Sequence, residues 1–507
     1  MSHPVMTKFV ASLSCGKTQA TEAVVPSHDA VARLARIYEL ARNAIDYRAE
    51  HLVRRAAIER ILRRQIMFTK DSDKLANVLL QEIHWAAYIS ESDWQTANRK
   101  ILSDILKSYL DVWDEPEINQ DWLLGLISAH IEDALSPNKD YSEFTNLAFN
   151  VLRSRVEIED PNIDLLLFVA IDRVYSQADE AQIAYHLYRL DRKQMGEKSM
   201  TEVLQASYSA YNLANQKKGL NILSAYVRKQ MGPLILLRDL YFSNPEEFPK
   251  VIENPELFDT TAQKVLSDQL KLVRKRMNTA TFRSLLYVFL TKMILVLLLE
   301  IPLEKMLRDG GTNYVSLGIN VIVPIVVMWL IVANIHLPSR KSPGRLLDRA
   351  KQIVFDFDTE SQAWEKIHSL VRPFSIIKYS VFYFFYALLF WLVFYAIYWV
   401  LHYFGFTFIS IAVFMFFLSV VTFFAYRIRQ LALTYSYSPK GESGSVGWDI
   451  LTLPIVAMGD LLSRGVAQLN FLILIFDFIL EAPFKVILTF MDSWGRFLSS
   501  KRDEIVG

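Results

Sequence analysis

Lys292 lies inside the first long apolar run of the chain, SLLYVFLTKMILVLLLEIPL, which begins after Arg283. A charge in hydrocarbon costs about 2.5–3.5 kcal/mol on insertion scales, so such a lysine either serves ion or proton traffic or draws its ammonium back to the headgroups. With one lysine among four apolar stretches, snorkelling toward the cytoplasmic headgroups is the expectation. If it does not snorkel, its partner is Asn320 in the next apolar run, or a C-terminal carboxylate such as Asp460 or Asp477. Asn320 and Asn334 are fourteen residues apart, close to four helical turns, and so share a helix face beside Pro324, where a kink is expected. Asp477 and Glu481 are four apart and also share one face. The candidate polar site within the membrane is therefore Lys292, Asn320, Asn334, Asp460, Asp477 and Glu481.

A second motif concerns phosphate. Ala11-Ser-Leu-Ser-Cys-Gly16-Lys17-Thr18 matches a loosened phosphate loop with alanine where the first glycine belongs. That chemistry needs a loop between a buried strand and a helix, and only Lys8, Phe9 and Val10 precede it while Pro26 soon follows. The segment reads as part of a flexible tail over residues 1–28.

The remaining chemistry is argued by what does not occur. The nine histidines are scattered without His-x-x-x-His or His-Glu-x-x-His spacing, and Cys15 is the only cysteine. No metal site is signalled. There is no Gly-x-Ser-x-Gly elbow and no strand leading into a Gly-x-Gly-x-x-Gly turn, so no catalytic residue and no cofactor is expected. An arginine-rich stripe, Arg33 to Arg64, is diluted by Glu39, Asp46, Glu50 and Glu59. It reads as a solvated face or a contact for anionic lipid, and no nucleic acid is expected.

The elements that hold these residues divide near residue 283. Four apolar stretches follow it, at about 284–303, 314–337, 376–401 and 406–426. Crossing a hydrocarbon core about 30 Å thick takes roughly 20 mostly apolar residues. Arg274, Lys275, Arg276 and Arg283 precede the first stretch; Arg340, Lys341, Arg345, Arg349 and Lys351 follow the second. Arg427 and Arg429 follow the fourth, whereas the link between the third and fourth has neither Lys nor Arg. That asymmetry predicts a multi-pass plasma (inner) membrane protein with both termini cytoplasmic. No secretory h-region precedes the first stretch.

Residues 29–280 are helical by pattern, with an apolar stripe from Val31 to Leu62 and further helices at 73–90, 93–113, 120–135, 141–156, 162–176, 178–192, 200–216, 219–239 and 257–277. No period-2 run bounded by hairpin turns is present. The fold class expected is all-α: a cytoplasmic helical domain (29–280), a four-span domain (281–430), a Gly/Ser linker (431–447) and interfacial amphipathic helices (448–507). Residues 354–371 read as a further amphipathic helix. The functional expectation is a non-enzymatic membrane anchor or scaffold whose partners are membrane lipids and a cytoplasmic protein. The alternative is a small-solute or ion transporter or channel using Lys292 and Asn320 beside Pro324.

Overall fold

The computed structural model describes residues 4–13, 50–86, 88–89, 99–136, 139–196, 198–217, 219–296, 301–302, 314–333, 341–356, 366–369, 376–432, 453–462 and Trp494. Among them the chain is helical, with a lone parallel bridge between Val156 and Ile367. It divides into two compact units. One is built chiefly from Pro4–Arg228 joined by Lys366–Leu370, the other from Lys229–Glu365 and Val371–Leu474.

The first unit holds α1 (Pro4–Ser12), α2 (Glu50–Ile66), α3 (Ser72–Trp85), α4 (Arg99–Leu110), α5 (Gln120–Leu135), α6 (Lys139–Arg153), α7 (Ile163–Val174), α8 (Glu180–Met195), α9 (Met200–Gln216) and α10 (Gly219–Gln230). The starts are set by caps legible in the sequence. Asp71, Asn119, Asp179 and Ser199 each accept from a backbone N–H in the first turn of α3, α5, α8 and α9. Each cap satisfies a donor the helix cannot, worth about 1 kcal/mol. Leu75, Leu79 and Ile83 of α3 pack with Leu102, Leu106 and Tyr109 of α4 and with Leu123 and Ile127 of α5 in one apolar core.

Two expectations fail here. Within the supposedly flexible tail, Pro4–Ser12 is a helix with Met6 and Phe9 buried, the Phe9 ring meeting Phe144 edge-on at 4.9 Å. Lys8, Phe9 and Val10 are thus helical rather than the strand a phosphate loop requires; Lys17 and Thr18 lie outside the described residues. The described arginines of the basic stripe are not a solvated face either. Arg54 pairs with Glu132 at 2.5 Å, Arg64 with Glu82 at 2.5 Å, and Arg63 with Asp121 at 2.5 Å. Arg55 is buried and contacts Glu59 at 2.6 Å, Asp179 at 2.7 Å and the Ser128 hydroxyl at 3.0 Å. Glu59 is four residues from Arg55 on α2 itself, but Glu132, Glu82, Asp121 and Asp179 come from other elements, and pairing across elements cannot be read from one helix's own periodicity.

The second unit begins with α11 (Gly232–Ser243) and α12 (Phe248–Glu253). The helix expected over 219–239 is broken at Met231, because Pro233 offers no amide and disfavours helix in the residue before it. Then comes α13 (Pro255–Leu295), an unbroken helix of 41 residues capped by the Asn254 carboxamide. The soluble helix 257–277 and the start of the first apolar stretch are therefore one rod of about 60 Å. Nothing between Met277 and Ser284 stops it, since Asn278-Thr279-Ala280-Thr281 contains neither glycine nor proline. Its buried residues run Phe258, Ala262, Leu266, Val273, Met277, Ala280, Ser284, Val288, Lys292 and Val296.

α14 (Tyr314–Ala333), α15 (Lys341–Phe355), α16 (Ile376–Tyr403), α17 (Phe408–Ala432) and α18 (Leu453–Leu462) complete this unit. α15 packs on α11 and α13, with Phe355 edge-on to Phe258 and Lys351 Nζ 2.5 Å from Asp259. An amphipathic helix lies at 341–355, where Leu346, Ala350, Ile353 and Val354 are buried; of the one expected at 354–371, residues 357–365 and 370–371 lie outside the described residues, and Ile367 forms the bridge to Val156. α16 stops at Gly405, whose φ of 77° suits a residue without Cβ. The Phe406 amide then donates to the Leu401 carbonyl, closing the helix end with both side chains buried.

Among the described residues one helix is both long and apolar enough to cross a membrane by length and composition, Ser380–Tyr403 within α16. Gly318–Ile331, Phe408–Phe423 and Leu453–Leu462 are apolar but shorter. An apolar core joins Ile319, Val323 and Val327 of α14 to Leu389, Val393 and Ile397 of α16, Ile411, Phe414 and Leu418 of α17, and Ile455 of α18.

Candidate functional site

Several buried polar groups of the second unit lie on α13, α14 and α17, which pack on one another. Lys292 occupies the stripe that α13 otherwise fills with Val288 and Val296, and it is 1% exposed. Its ammonium stands 4.5 Å from the centroid of the Phe417 ring on α17, within range of the ring's negative face. Lys292 therefore does not snorkel; its side chain is enclosed by protein. Arg283 is nine residues back on the same helix, roughly 13 Å along the axis, so the charge sits well inside the apolar stretch.

Asn320 is likewise 1% exposed, on a stripe with Pro324 and Met328. Proline at 324 cannot donate to the carbonyl four residues earlier, and that carbonyl belongs to Asn320. Position 320 thus brings two kinds of oxygen to the interface, a side-chain carboxamide and a main-chain carbonyl released from the helix ladder. The sequence paired Asn320 with Pro324 by proximity; the shared buried face emerges from packing. The helix itself continues through Pro324 to Ala333.

α17 adds two hydroxyls that sequence reasoning passed over, Ser419 and Thr422, both buried. Thr422 Oγ1 donates to the Leu418 carbonyl at 2.7 Å and so satisfies itself within its own helix. Ser419 Oγ has no hydrogen-bond partner among the described residues. Two hydroxyls three residues apart in an otherwise apolar helix were the available signal.

Of the other predicted members one lies on a fourth helix and three lie outside the described residues. Asp460 is on α18, only half-buried. α18 meets α17 through Gly459: a Cβ there would fall 2.6 Å from Phe423 Cβ and nearer still to the Ser419 carbonyl oxygen. Residues 419–423 lie four to eight residues before Arg427, about 6–12 Å along α17. Asn334, Asp477 and Glu481 lie outside the described residues.

Chemically, this arrangement offers an ammonium, acceptor oxygens and hydroxyls, without a nucleophile seated beside a general base. Among the described residues no group of three or more His, Cys, Asp or Glu side chains is placed to hold a metal ion.

The first unit has a polar network of its own. Tyr109 OH is 2.9 Å from His130 Nδ1, and the His130 ring stacks on Tyr185, whose OH donates to Asp133 at 2.9 Å. Burial holds His130 below the ordinary histidine range, against a small upward pull from Asp133. His186 moves the other way: burial lowers it, but the buried Asp172 carboxylate at 2.7 Å outweighs that and raises it. These groups tie α4, α5, α7 and α8 together and face no described cleft.

Comparison with known proteins returned no match: no family model, no curated protein and no solved structure resembles this chain.

Proposed function

We propose that the chain is a four-span membrane protein whose role is to anchor a helical domain at the cytoplasmic face, where that domain binds a protein partner. The spans are the C-terminal part of α13 with the residues after it, then α14, α16 and α17. One observation carries this reading: these helices turn large apolar side chains outward. Phe282, Leu286, Phe289, Leu290 and Ile294 of α13 are exposed, as are Ile322, Val326 and Trp329 of α14. On α16, Phe382, Phe384, Phe385, Trp391, Leu392 and Trp399 are exposed. The α16 segment Ser380–Tyr403 is only 11% buried, which would be untenable in water for so apolar a helix. In a bilayer the same surface is solvated by lipid tails. In the first unit, by contrast, most large apolar side chains of α3, α4 and α5 are buried in a conventional core, Ile101 being exposed.

Under this reading Lys292, Asn320 and Ser419 are buried polar groups that α13, α14 and α17 bring to the faces on which they pack. Polar contacts between membrane helices contribute about 0.6–2 kcal/mol each, and their value lies in specifying which faces meet. The C-terminal segment was expected along the cytoplasmic interface. For residues 453–462 we favour a re-entrant position, because Gly459 packs on α17 at the level of Ser419 and Phe423.

Reporter fusions test the anchor. Those placed after Lys351, Gln430 and Gly507 should report cytoplasm and one at Gly311 the outside, and the protein should resist alkaline extraction from membranes. A cytoplasmic signal at Gly311, or release by alkali, refutes the model. The transporter reading rests on a different observation, the enclosure of Lys292 at mid-span. It displaces the scaffold if Lys292→Leu abolishes a measurable flux while expression and fold are preserved.

A further inference from the structure

Over residues 271–290, α13 has two sides. The buried residues Val273, Met277, Ala280, Ser284 and Val288 face its neighbours, while Arg274, Lys275, Arg276 and Arg283 are exposed together with Phe282, Leu286, Phe289 and Leu290. With about 100° of turn per residue and Arg274 as the zero, the buried set falls at roughly 240–320° and both exposed sets fall at roughly 0–200°. The basic residues therefore stand directly in line with the apolar side chains that lipid tails would cover. Going toward the N-terminus the exposed face changes from apolar to basic within two turns.

Depth agrees with this alignment. Arg276 and Arg274 lie about 9 Å and 12 Å above Phe282 along the axis. The headgroup layer adds roughly 5–8 Å to each side of the hydrocarbon core, and long basic side chains bend down over the remaining few ångströms. Arg283 sits at the boundary itself. The acid on this face, Asp268, is already paired with Lys271 at 2.9 Å. Four cations are left over the headgroups of the lipids that coat Phe282 and Leu286.

We propose that this face of α13 is a binding site for anionic phospholipid headgroups. The proposal rests on the reading that α13 enters the bilayer near Phe282. Each basic residue near a membrane surface is worth about 1 kcal/mol toward anionic lipid, roughly a fivefold preference, and the effect fades within a Debye length.

The test uses the full chain reconstituted in phosphatidylcholine vesicles carrying a trace of spin-labelled phosphatidylglycerol or spin-labelled phosphatidylcholine. The fraction of each probe immobilised on the protein gives the selectivity. Wild type should prefer the anionic probe several-fold, losing that preference at high salt but not to millimolar inorganic phosphate. The triple variant Arg274→Gln, Lys275→Gln, Arg276→Gln should lower the preference several-fold, to the share that Arg283 supplies, with its helical circular dichroism intact. Lys264→Gln is the control: the residue is exposed on the same side of α13, but about 27 Å above Phe282, and its loss should change nothing. Unchanged selectivity in the triple variant, or equal loss in the control, overturns the proposal. Displacement of the lipid probe by inorganic phosphate overturns it too, in favour of a soluble anion. Failure of the wild type to enter vesicles at all refutes the membrane reading first and this site with it.

Discussion

Replacing Gly459 by alanine should detach α18, and the structure says how strongly. A Cβ at 459 would lie 2.6 Å from Phe423 Cβ, where 3.4–4 Å is ordinary contact, and closer still to a main-chain oxygen of α17. No rotamer change moves a backbone carbonyl, so α18 must retreat by about 1 Å, a degree of overpacking that costs about 1–3 kcal/mol. The opposing term is helix propensity, which favours alanine over glycine by about 1 kcal/mol inside a helix. The sign of the outcome therefore reports the contact: without close approach of the two helices, Gly459→Ala would stabilise. The assay is maleimide labelling of Ile455→Cys in a Cys15→Ser background, since Ile455 is buried beside α17. The net loss, up to about 2 kcal/mol, raises the reactive open population, and hence the labelling rate, by up to about 30-fold. An unchanged or slower rate in Gly459→Ala, or a raised melting temperature, would refute the packing of α18 described here.

Other perturbations read the two units separately. Lys292→Met keeps the stem but removes the ammonium that faces the Phe417 ring, and Lys292→Glu puts a negative charge against the same ring face. The detergent-solubilised Lys292→Glu variant should therefore melt below Lys292→Met. Arg55→Ala removes a buried cation from Asp179, while Glu59 keeps Arg63 at 3.2 Å, and should cost about 1.5–3 kcal/mol, the worth of a hydrogen bond to a charged group, in hydrogen-exchange protection of α2 and α5. His186 is raised by Asp172, so its contribution is complete below the ordinary histidine value of about 6.5 and is lost as pH climbs through its folded value. Protection of α7 and α8 should fall over that window, as the imidazolium beside Asp172 loses its charge. Asp172→Asn should flatten the profile. His130, held low by burial, works in the opposite direction and loses stability as pH drops below 6.5, so the Asp172→Asn profile should retain only that acid-side decline.

Much of the fold follows from local rules that act within a dozen residues. The helices Gln120–Leu135 and Met200–Gln216 coincide with the expected 120–135 and 200–216, because Asn119 and Ser199 cap them and their apolar stripes are uninterrupted. The break at Met231 was written in Gly232-Pro233, and the end of α16 in Gly405, though the first was passed over. Lys292 and Asn320 stand out in the sequence because a charge and an amide in apolar runs are conspicuous, and both side chains are buried. What tertiary structure alone decided is where long side chains go. The same arginine stripe reads as solvated on one helix and is paired once α5, α3 and the cap of α8 stand beside it. The same lysine can snorkel or be enclosed, and the packing of α14 and α17 on α13 selects enclosure over the ring of Phe417. Gly459 was an unremarkable residue in an ambiguous segment until α17 approached it at backbone distance. Periodicity and caps describe each helix against solvent, whereas pairing, burial and close approach are properties of two helices at once. No reading of one chain segment at a time contains them.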